Sequence, residues 1–424
     1  MKKCVIFVHP IMSVSTNFEF IKSKGFLIFS VVTDIETSKI NIKHLTEISD
    51  YIHVGNWDVE KNIPAIEYII DKNGLEIVAV INGIDASLYY TDYLYNAFVG
   101  QVPIDLNYSM VRMNKYQVNE ILAKHGIVTI PSLEITNIND VYARKDEVLG
   151  LGWPMVAKPS EDTAAMAGFA ILNTFDELID YLNVHIGNKN AYYGKTVKKI
   201  ILQTYIPLDK YDEYLIDFCC YGDKRVLNGL GRYKKEHIRD DIYVYKSIDV
   251  LCPKEINGIM PVINYVEDIL ATLQVTYGYT HNEVFWDGKD KFYLVESNSR
   301  IAGSGFNECY AYCYGVPTLS RLFDLSDGKP VEKRLTIRTG FAVVLTLCNF
   351  FLPKFRTLNL SGLSSTAQIN SFYPDNMTDP NFINYTRADC VAANISLHNQ
   401  DQKQLDADII EVFERERNGT LFVK

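Results

Sequence analysis

At 424 residues, with 47% apolar and 22% charged side chains, the chain is long enough for two or three domains, each with its own core. Its net charge of −10 is offset by no long Lys/Arg block, and the basic clusters at 195–199 and 232–239 are short and mixed, so a nucleic-acid partner is not expected. Eight cysteines lie scattered with no CxxC pair and no His cluster at zinc spacing, which reads as free thiols in a reducing cytoplasm. The first apolar run breaks at His9-Pro10 without a small-residue cleavage site, and no stretch reaches transmembrane length, so neither a signal peptide nor a membrane partner is expected.

In chain order, 4–8, 26–32, 51–54 and 76–81 are short apolar runs that read as buried strands. Helical segments at 63–72, stopped by Asn73-Gly74, and at 87–98, stopped before Gly100, lie between and after them. This alternation predicts a parallel sheet covered by helices, and no G-x-G-x-x-G follows the first strand to suggest a dinucleotide site. From Ser109 the spacing of Val111, Val118, Ile121 and Leu122 predicts one helix ending at Gly126. On that helix Arg112 and Lys115 would share a face near the start, where an anion would relieve their conflict with the helix dipole. Strands follow at 154–158 and 169–172, then a helix at 175–182 opened by the capping box of Thr174 and Glu177. Further strands are predicted at 199–205, 214–221, 225–233, 280–286 and 291–297, and a helix at 405–417.

The stretch 280–300, THNEVFWDGKDKFYLVESNSR, carries the most chemistry. Asp287-Gly288 between two apolar-rich runs signals a hairpin. With a connection of two or four residues, Glu283 pairs with Phe292 or Leu294 and joins the face shared by Glu296, Asn298 and Arg300; an odd-length loop would break this. Two carboxylates and an amide oxygen on one face either lie on a solvated sheet surface or gather a hard divalent cation, and so few oxygen ligands suit Mg²⁺. Lys158 ends an apolar strand immediately before the loop SEDTAAMAG, whose small side chains would let backbone N–H groups approach an anion, although it is no Walker A loop; the alternative is an ordinary surface turn.

Taken in order, these elements resemble the ATP-grasp superfamily. Lys115 lies in a helix ahead of the nucleotide region, Lys158 precedes a loop, Gln203-Thr204-Tyr205-Ile206 falls where an adenine-contacting hinge would be, and Glu213, Glu283 and Glu296-x-Asn298-x-Arg300 follow. Within the superfamily the chain is similar to the L-amino-acid ligases, through 107–116, 212–217, 231–235, Tyr245, Leu251, 281–283 and the C-terminal NISLHNQDQKQLDADI. The resemblance implies an α/β fold, α+β in the nucleotide region. It implies a Rossmann-like pre-ATP-grasp domain over 1–108, a small lid-bearing subdomain over 109–205, and a larger subdomain with a family-type extension over 206–424.

The same resemblance implies ATP and Mg²⁺, or Mn²⁺, as cofactors. Lys115, Lys158 and a loop containing Ser160, Thr163 and Gly168 would hold the phosphates. Gln203 and the backbone of Thr204 and Ile206 would meet adenine, and Glu213 the ribose. Glu283, Glu296 and Asn298 would hold the metal, Arg300 would steady an acyl phosphate, and Lys235 would touch phosphate or substrate. The implied activity is a cytoplasmic, ADP-forming ligase joining a small carboxylate, an amino acid in this family, to an amine; homodimers are common in it. Another acid or amine, or a nucleotide-binding relative without activity, are the competing readings. Two departures stand out: the loop is poor in glycine, and Gln203 stands where many relatives carry Glu. Tyr233, Tyr243, Tyr245, Trp286 and Phe306 are candidates for a side-chain pocket or for the core, and Asp240 and Asp241 for an amino-group contact or a solvated loop.

Overall fold

The apolar runs of the first hundred residues form β1 (Lys2–Val8), β2 (Leu27–Thr33), β3 (Tyr51–Gly55) and β4 (Leu75–Asn82), a parallel sheet in the order β3-β2-β1-β4. The computed structural model describes residues 1–10, 15–33, 42–161, 168–189, 196–239, 242–377 and 391–424. Cys4 to Val8 are wholly buried, as a parallel strand covered on both faces requires. The helix Val59–Asn73 stops where Gly74 takes a left-handed conformation (φ 62°), and Leu88–Phe98 follows a 3-10 turn at Asp85–Ser87.

The single helix expected from Ser109 is two helices, Leu106–Arg112 and Lys115–Lys124. Asp105 caps the first and Asn114 the second, each side chain accepting a backbone N–H of its own first turn. Ser109 is therefore inside a helix, where its hydroxyl donates to Asp92 at 2.6 Å. Arg112 and Lys115 flank the break and do not share a helical face: Arg112 is buried in an ion pair with Asp92, also at 2.6 Å. The expected capping box at Thr174 is half formed, because Glu177 turns its carboxylate to the backbone N–H of Asn173 instead of Thr174.

The middle of the chain folds into β5 (Ser132–Ile135), β6 (Met155–Pro159), β7 (Ala170–Leu172) and β8 (Ile200–Thr204), an antiparallel sheet ordered β5-β8-β6-β7. The helix Phe175–His185 packs on it through Leu178 and Leu182. The rest builds an eight-stranded antiparallel sheet from β9 (Asp212–Tyr221), β10 (Lys224–Arg239), β11 (Ile242–Val250), β12 (Tyr277–Trp286), β13 (Phe292–Asn298), β14 (Phe341–Leu347), β16 (Thr366–Phe372) and β17 (Ala393–Asn399). Its order is β13-β12-β9-β10-β11-β14-β17-β16, and the short strands β15 (Thr357–Leu358) and β18 (Phe422–Val423) pair separately.

Two packing features hold this sheet's layers. The helix Phe306–Tyr314 seats the Phe306 ring against the bare backbone of Gly231, where an added Cβ would lie 2.6 Å from that ring and 2.8 Å from Leu215. Gly231→Ala is expected to cost about 1–3 kcal/mol through overpacking, read as a lowered denaturation midpoint. The C-terminal helix Gln402–Arg417 is tied down by buried Glu416, which meets Lys246 of β11 at 2.5 Å and accepts the Cys348 N–H at 2.6 Å. Glu416→Ala takes away the main partner of the half-buried Lys246 ammonium and the acceptor of the Cys348 N–H, so a loss of about 2–3 kcal/mol is expected in chemical denaturation.

Candidate functional site

The hairpin forms with an odd connection: Trp286 pairs with Phe292 across five loop residues, with Asp287 accepting the N–H groups of Lys289 and Lys291. By itself that would turn Glu283 away from Glu296. The register instead shifts between Glu283 and Val284, so Val284 pairs with Leu294 and Glu283 pairs directly with Glu296. Val295 is the extra residue of a β-bulge, and it restores the shared face that the odd loop would have broken. The expected partners Phe292 and Leu294 are thus replaced, while the convergence of Glu283, Glu296 and Asn298 holds.

Neighbouring strands add to the same face. On β9, Glu213 pairs with Phe285, Leu215 with Glu283 and Asp217 with His281. Tyr233 of β10 donates to Glu283 at 3.2 Å and stacks on Tyr245, which donates to Glu213 at 3.2 Å. Lys235 forms an ion pair with Glu213 and lies over the rings of Tyr245 and Phe285. Burial raises the pKa of the Glu213 carboxyl, Lys235 opposes that, and Glu283 adds to it.

Lysines from two earlier segments reach these carboxylates. Lys115, first in its helix, meets Glu296 at 3.0 Å. Lys158, at the end of β6, has its pKa lowered by burial; Glu296 opposes this most, Lys115 reinforces it, and Glu283 and Glu213 oppose it further. The backbone joins the two segments, since the Lys115 N–H donates to the Ser160 carbonyl at 3.0 Å. The Ser160 hydroxyl is buried without a hydrogen-bond partner among the described residues. Gly168 takes φ 77°, and its carbonyl accepts from Tyr181. Thr163 lies outside the described residues, as do Asp240 and Asp241 and the side chain of Tyr243.

Gln203 is buried on β8 and lines a cleft with Asp85, Arg112, Lys115, Glu296 and Asn298. The Thr204 N–H donates to Pro131 at 3.0 Å. In a strand a residue's N–H and C=O point to the same side, and Pro131 has no N–H to return, so the Thr204 carbonyl is left for another donor. Ile206, two residues on, is half-buried. Among the five aromatic candidates, Trp286 and Phe306 belong to the core: Trp286 packs on Tyr214 and donates to Lys289, and Phe306 is wholly buried.

Two contributors were not assigned site roles from sequence. Asp85, on the turn after β4, accepts from Arg300 Nε at 2.8 Å and so ties the N-terminal sheet to the hairpin. Its other oxygen lies 3.2 Å from the Asn298 amide, which is also 3.2 Å from Glu296. One amide orientation donates to both carboxylates; the other turns the Asn298 oxygen toward them, an arrangement that only a shared cation would favour. His281, buried between Asp217 at 2.9 Å and Glu283 at 3.5 Å, is the second. Burial is the largest single influence and lowers its pKa, but Asp217 and Glu283 together outweigh it and raise the imidazole to about 10. Its two-residue spacing from Glu283 was the available sequence signal.

Among the described residues no three His, Cys, Asp or Glu side chains form a self-sufficient metal cage. The donors present, Glu283 opposite Glu296 with Asn298 two residues on, fit a hard cation that takes its remaining ligands from elsewhere.

No protein-family model matches the sequence. The chain is 22% identical over 257 residues to dapdiamide A synthase of Enterobacter agglomerans, a match spanning 58% of this chain and only 56% of that protein's length. Among solved structures it superposes on the L-amino acid ligase of Bacillus licheniformis with a TM-score of 0.72 at 13% identity, covering 98% of this chain and 97% of the other. N5-carboxyaminoimidazole synthetase of Staphylococcus aureus, solved with ADP, matches at a TM-score of 0.65 and 13% identity over 97% and 98% of the two chains. Biotin carboxylase of Campylobacter jejuni matches at 0.66 and 12% identity over 99% and 97%. The fold is that of the ATP-grasp ligases. No described helix is long and apolar enough to cross a membrane.

Proposed function

We propose that the chain is an ATP-dependent, ADP-forming ligase that activates the carboxylate of an amino acid as an acyl phosphate and joins it to an amine, forming a dipeptide or amide. The observation that carries this reading is the direct pairing of Glu283 with Glu296, with Lys115 on Glu296 and Lys158 in the field of both carboxylates. Phosphoryl transfer asks for charge neutralisation and alignment more than for covalent help, and this face supplies both signs of charge within reach of one another. Glu283, Glu296 and Asn298 would hold Mg²⁺, which when bound neutralises phosphate charge and fixes its geometry. Lys115, Lys158 and the loop from Ser160 to Gly168 would hold the phosphates, Gln203, Thr204 and Ile206 the adenine, and Glu213 the ribose. Lys235, held by Glu213, faces substrate or phosphate in this reading.

Arg300, fixed in orientation by Asp85, is the group for the reacting carboxylate and the oxyanion that develops on it, because a guanidinium stays charged and presents several donors in one plane. In the same reading the three larger sheets would correspond to a pre-ATP-grasp domain at 1–108, a lid-bearing subdomain at 109–205 and a larger subdomain at 206–424. A cytoplasmic location belongs to it as well, supported by seven described cysteines that are buried and free.

The likeness to a solved structure named as an L-amino acid ligase supports amino acids as the acid over other carboxylates. The test is nucleotide release with amino acids and other small carboxylates as acids and hydroxylamine as a trapping amine. Acid-dependent ADP and a hydroxamate are expected; AMP instead of ADP, or nucleotide release indifferent to any acid, would contradict the proposal.

A further inference from the structure

Beside the paired carboxylates lies a buried dyad that the mechanism above leaves unused. His281 and Glu283 stand two residues apart on β12 and so share a face, and β9 sets Asp217 directly opposite His281. His281 is 4% exposed and Asp217 2%. The imidazole reaches both ways: Nδ1 meets Asp217 Oδ1 at 2.9 Å, and Nε2 meets Glu283 Oε1 at 3.5 Å. Each ring nitrogen faces a carboxylate oxygen, so each serves as a donor. Tyr233 of β10 donates to the same Glu283 oxygen at 3.2 Å. Side chains from β9, β10 and β12 thus act, directly or through the ring, on one oxygen of one carboxylate.

The dyad is packed in place. Gly229 of β10 pairs with Asp217, and a Cβ on it would sit 3.3 Å from Asp217 Oδ2 and 2.9 Å from the Phe306 ring. The bare backbone lets that ring close over the pair, which makes this a rigid prop and not a pocket. Stability alone does not call for such a pair, because apolar side chains of similar volume would serve the core as well or better. What an apolar pair cannot do is present a donor to Glu283.

We propose that His281, backed by Asp217, is a positioning residue that fixes the orientation in which the Glu283 carboxylate receives the divalent cation. This rests on the metal part of the ligase reading. A site with so few protein donors depends on how well each one is held, since a hard cation is demanding about the placing of its oxygens. Groups that orient a ligand without touching the ion commonly set metal affinity by about 10- to 100-fold.

The experiment compares two double variants of the full-length chain that differ in one donor. Asp217→Asn/His281→Gln keeps a hydrogen-bond donor for Glu283, with a neutral amide behind it. Asp217→Asn/His281→Leu removes that donor. Neither leaves the dyad's charge buried alone, so both are expected to fold, which thermal melts check. Calorimetric titration of Mn²⁺ into each protein with ADP present, corrected for Mn²⁺ binding to free ADP, reads cation affinity without turnover. The Gln variant should bind Mn²⁺ within about threefold of wild type, and the Leu variant about 10- to 100-fold more weakly. ADP affinity in EDTA should be the same in all three proteins.

Equal Mn²⁺ affinity in the two variants, or wild-type affinity in the Leu variant, would overturn the proposal. So would a Leu variant that fails to fold, or one that loses ADP in EDTA as well, since either assigns the dyad to the fold. Hydroxamate formation by wild type reports the ligase reading separately. If no hydroxamate forms while the two variants differ in Mn²⁺ affinity as expected, only the ligase reading fails. If hydroxamate forms and the two variants bind Mn²⁺ alike, only the His281 inference fails.

Discussion

Arg300→Ala is expected to lower kcat by about 10²- to 10³-fold, the usual consequence of removing one preorganised donor from a developing oxyanion. The fold should survive, because the side chain is partly exposed and its ion pair with Asp85 is itself partly exposed. The loss should fall mainly on kcat, since in the proposed reading the nucleotide would be held by Lys115, Lys158 and the segment 203–206 instead. Asp85→Asn provides the graded companion. It keeps the shape at the Arg300 Nε contact but weakens the charge that orients the guanidinium, so a smaller loss in kcat is expected, with KM for ATP unchanged. Steady-state kinetics on both variants, with thermal melts as the control for folding, checks this; equal wild-type kcat in Arg300→Ala would remove the residue from the mechanism.

Glu296→Gln carries the second large effect. It halves the carboxylate charge of the Glu283–Glu296 pair and releases Lys115 from its 3.0 Å partner. In the proposed reading Glu296 would help hold Mg²⁺, whose charge stabilisation would be worth several kcal/mol, so the variant should lower kcat/KM by about 10³-fold and shift the Mg²⁺ requirement upward. Magnesium titrations of activity separate the two consequences: a higher midpoint reports lost affinity, and a reduced plateau reports a misplaced ion. In the proposed reading Glu283 and Glu296 would hold one ion, so the double variant should lose little more than either single one.

Much of this site was legible from local pattern, and the rest was not, for identifiable reasons. The parallel sheet, the hairpin and the order of charged residues follow from periodicities within a few residues of each other. The register of the hairpin does not: nothing in the run Leu294-Val295-Glu296 marks Val295 as the bulged residue, yet that bulge decides whether Glu296 faces Glu283. The break between Arg112 and Lys115 carried a signal that apolar spacing hid, since Asn114 followed three residues later by Gln117 resembles a helix start. Asp85 left no local trace. Its partner Arg300 is 215 residues away, and only the packing of the N-terminal sheet against the hairpin joins them.

In the proposed reaction this face transfers phosphoryl from ATP to a carboxylate. Supplying amino acids with ¹⁸O in the carboxylate, together with ATP, Mg²⁺ and an acceptor amine, and measuring the mass of the released inorganic phosphate tests it most directly. One ¹⁸O atom should pass to phosphate for each ADP formed. Phosphate free of label while product accumulates would contradict the account.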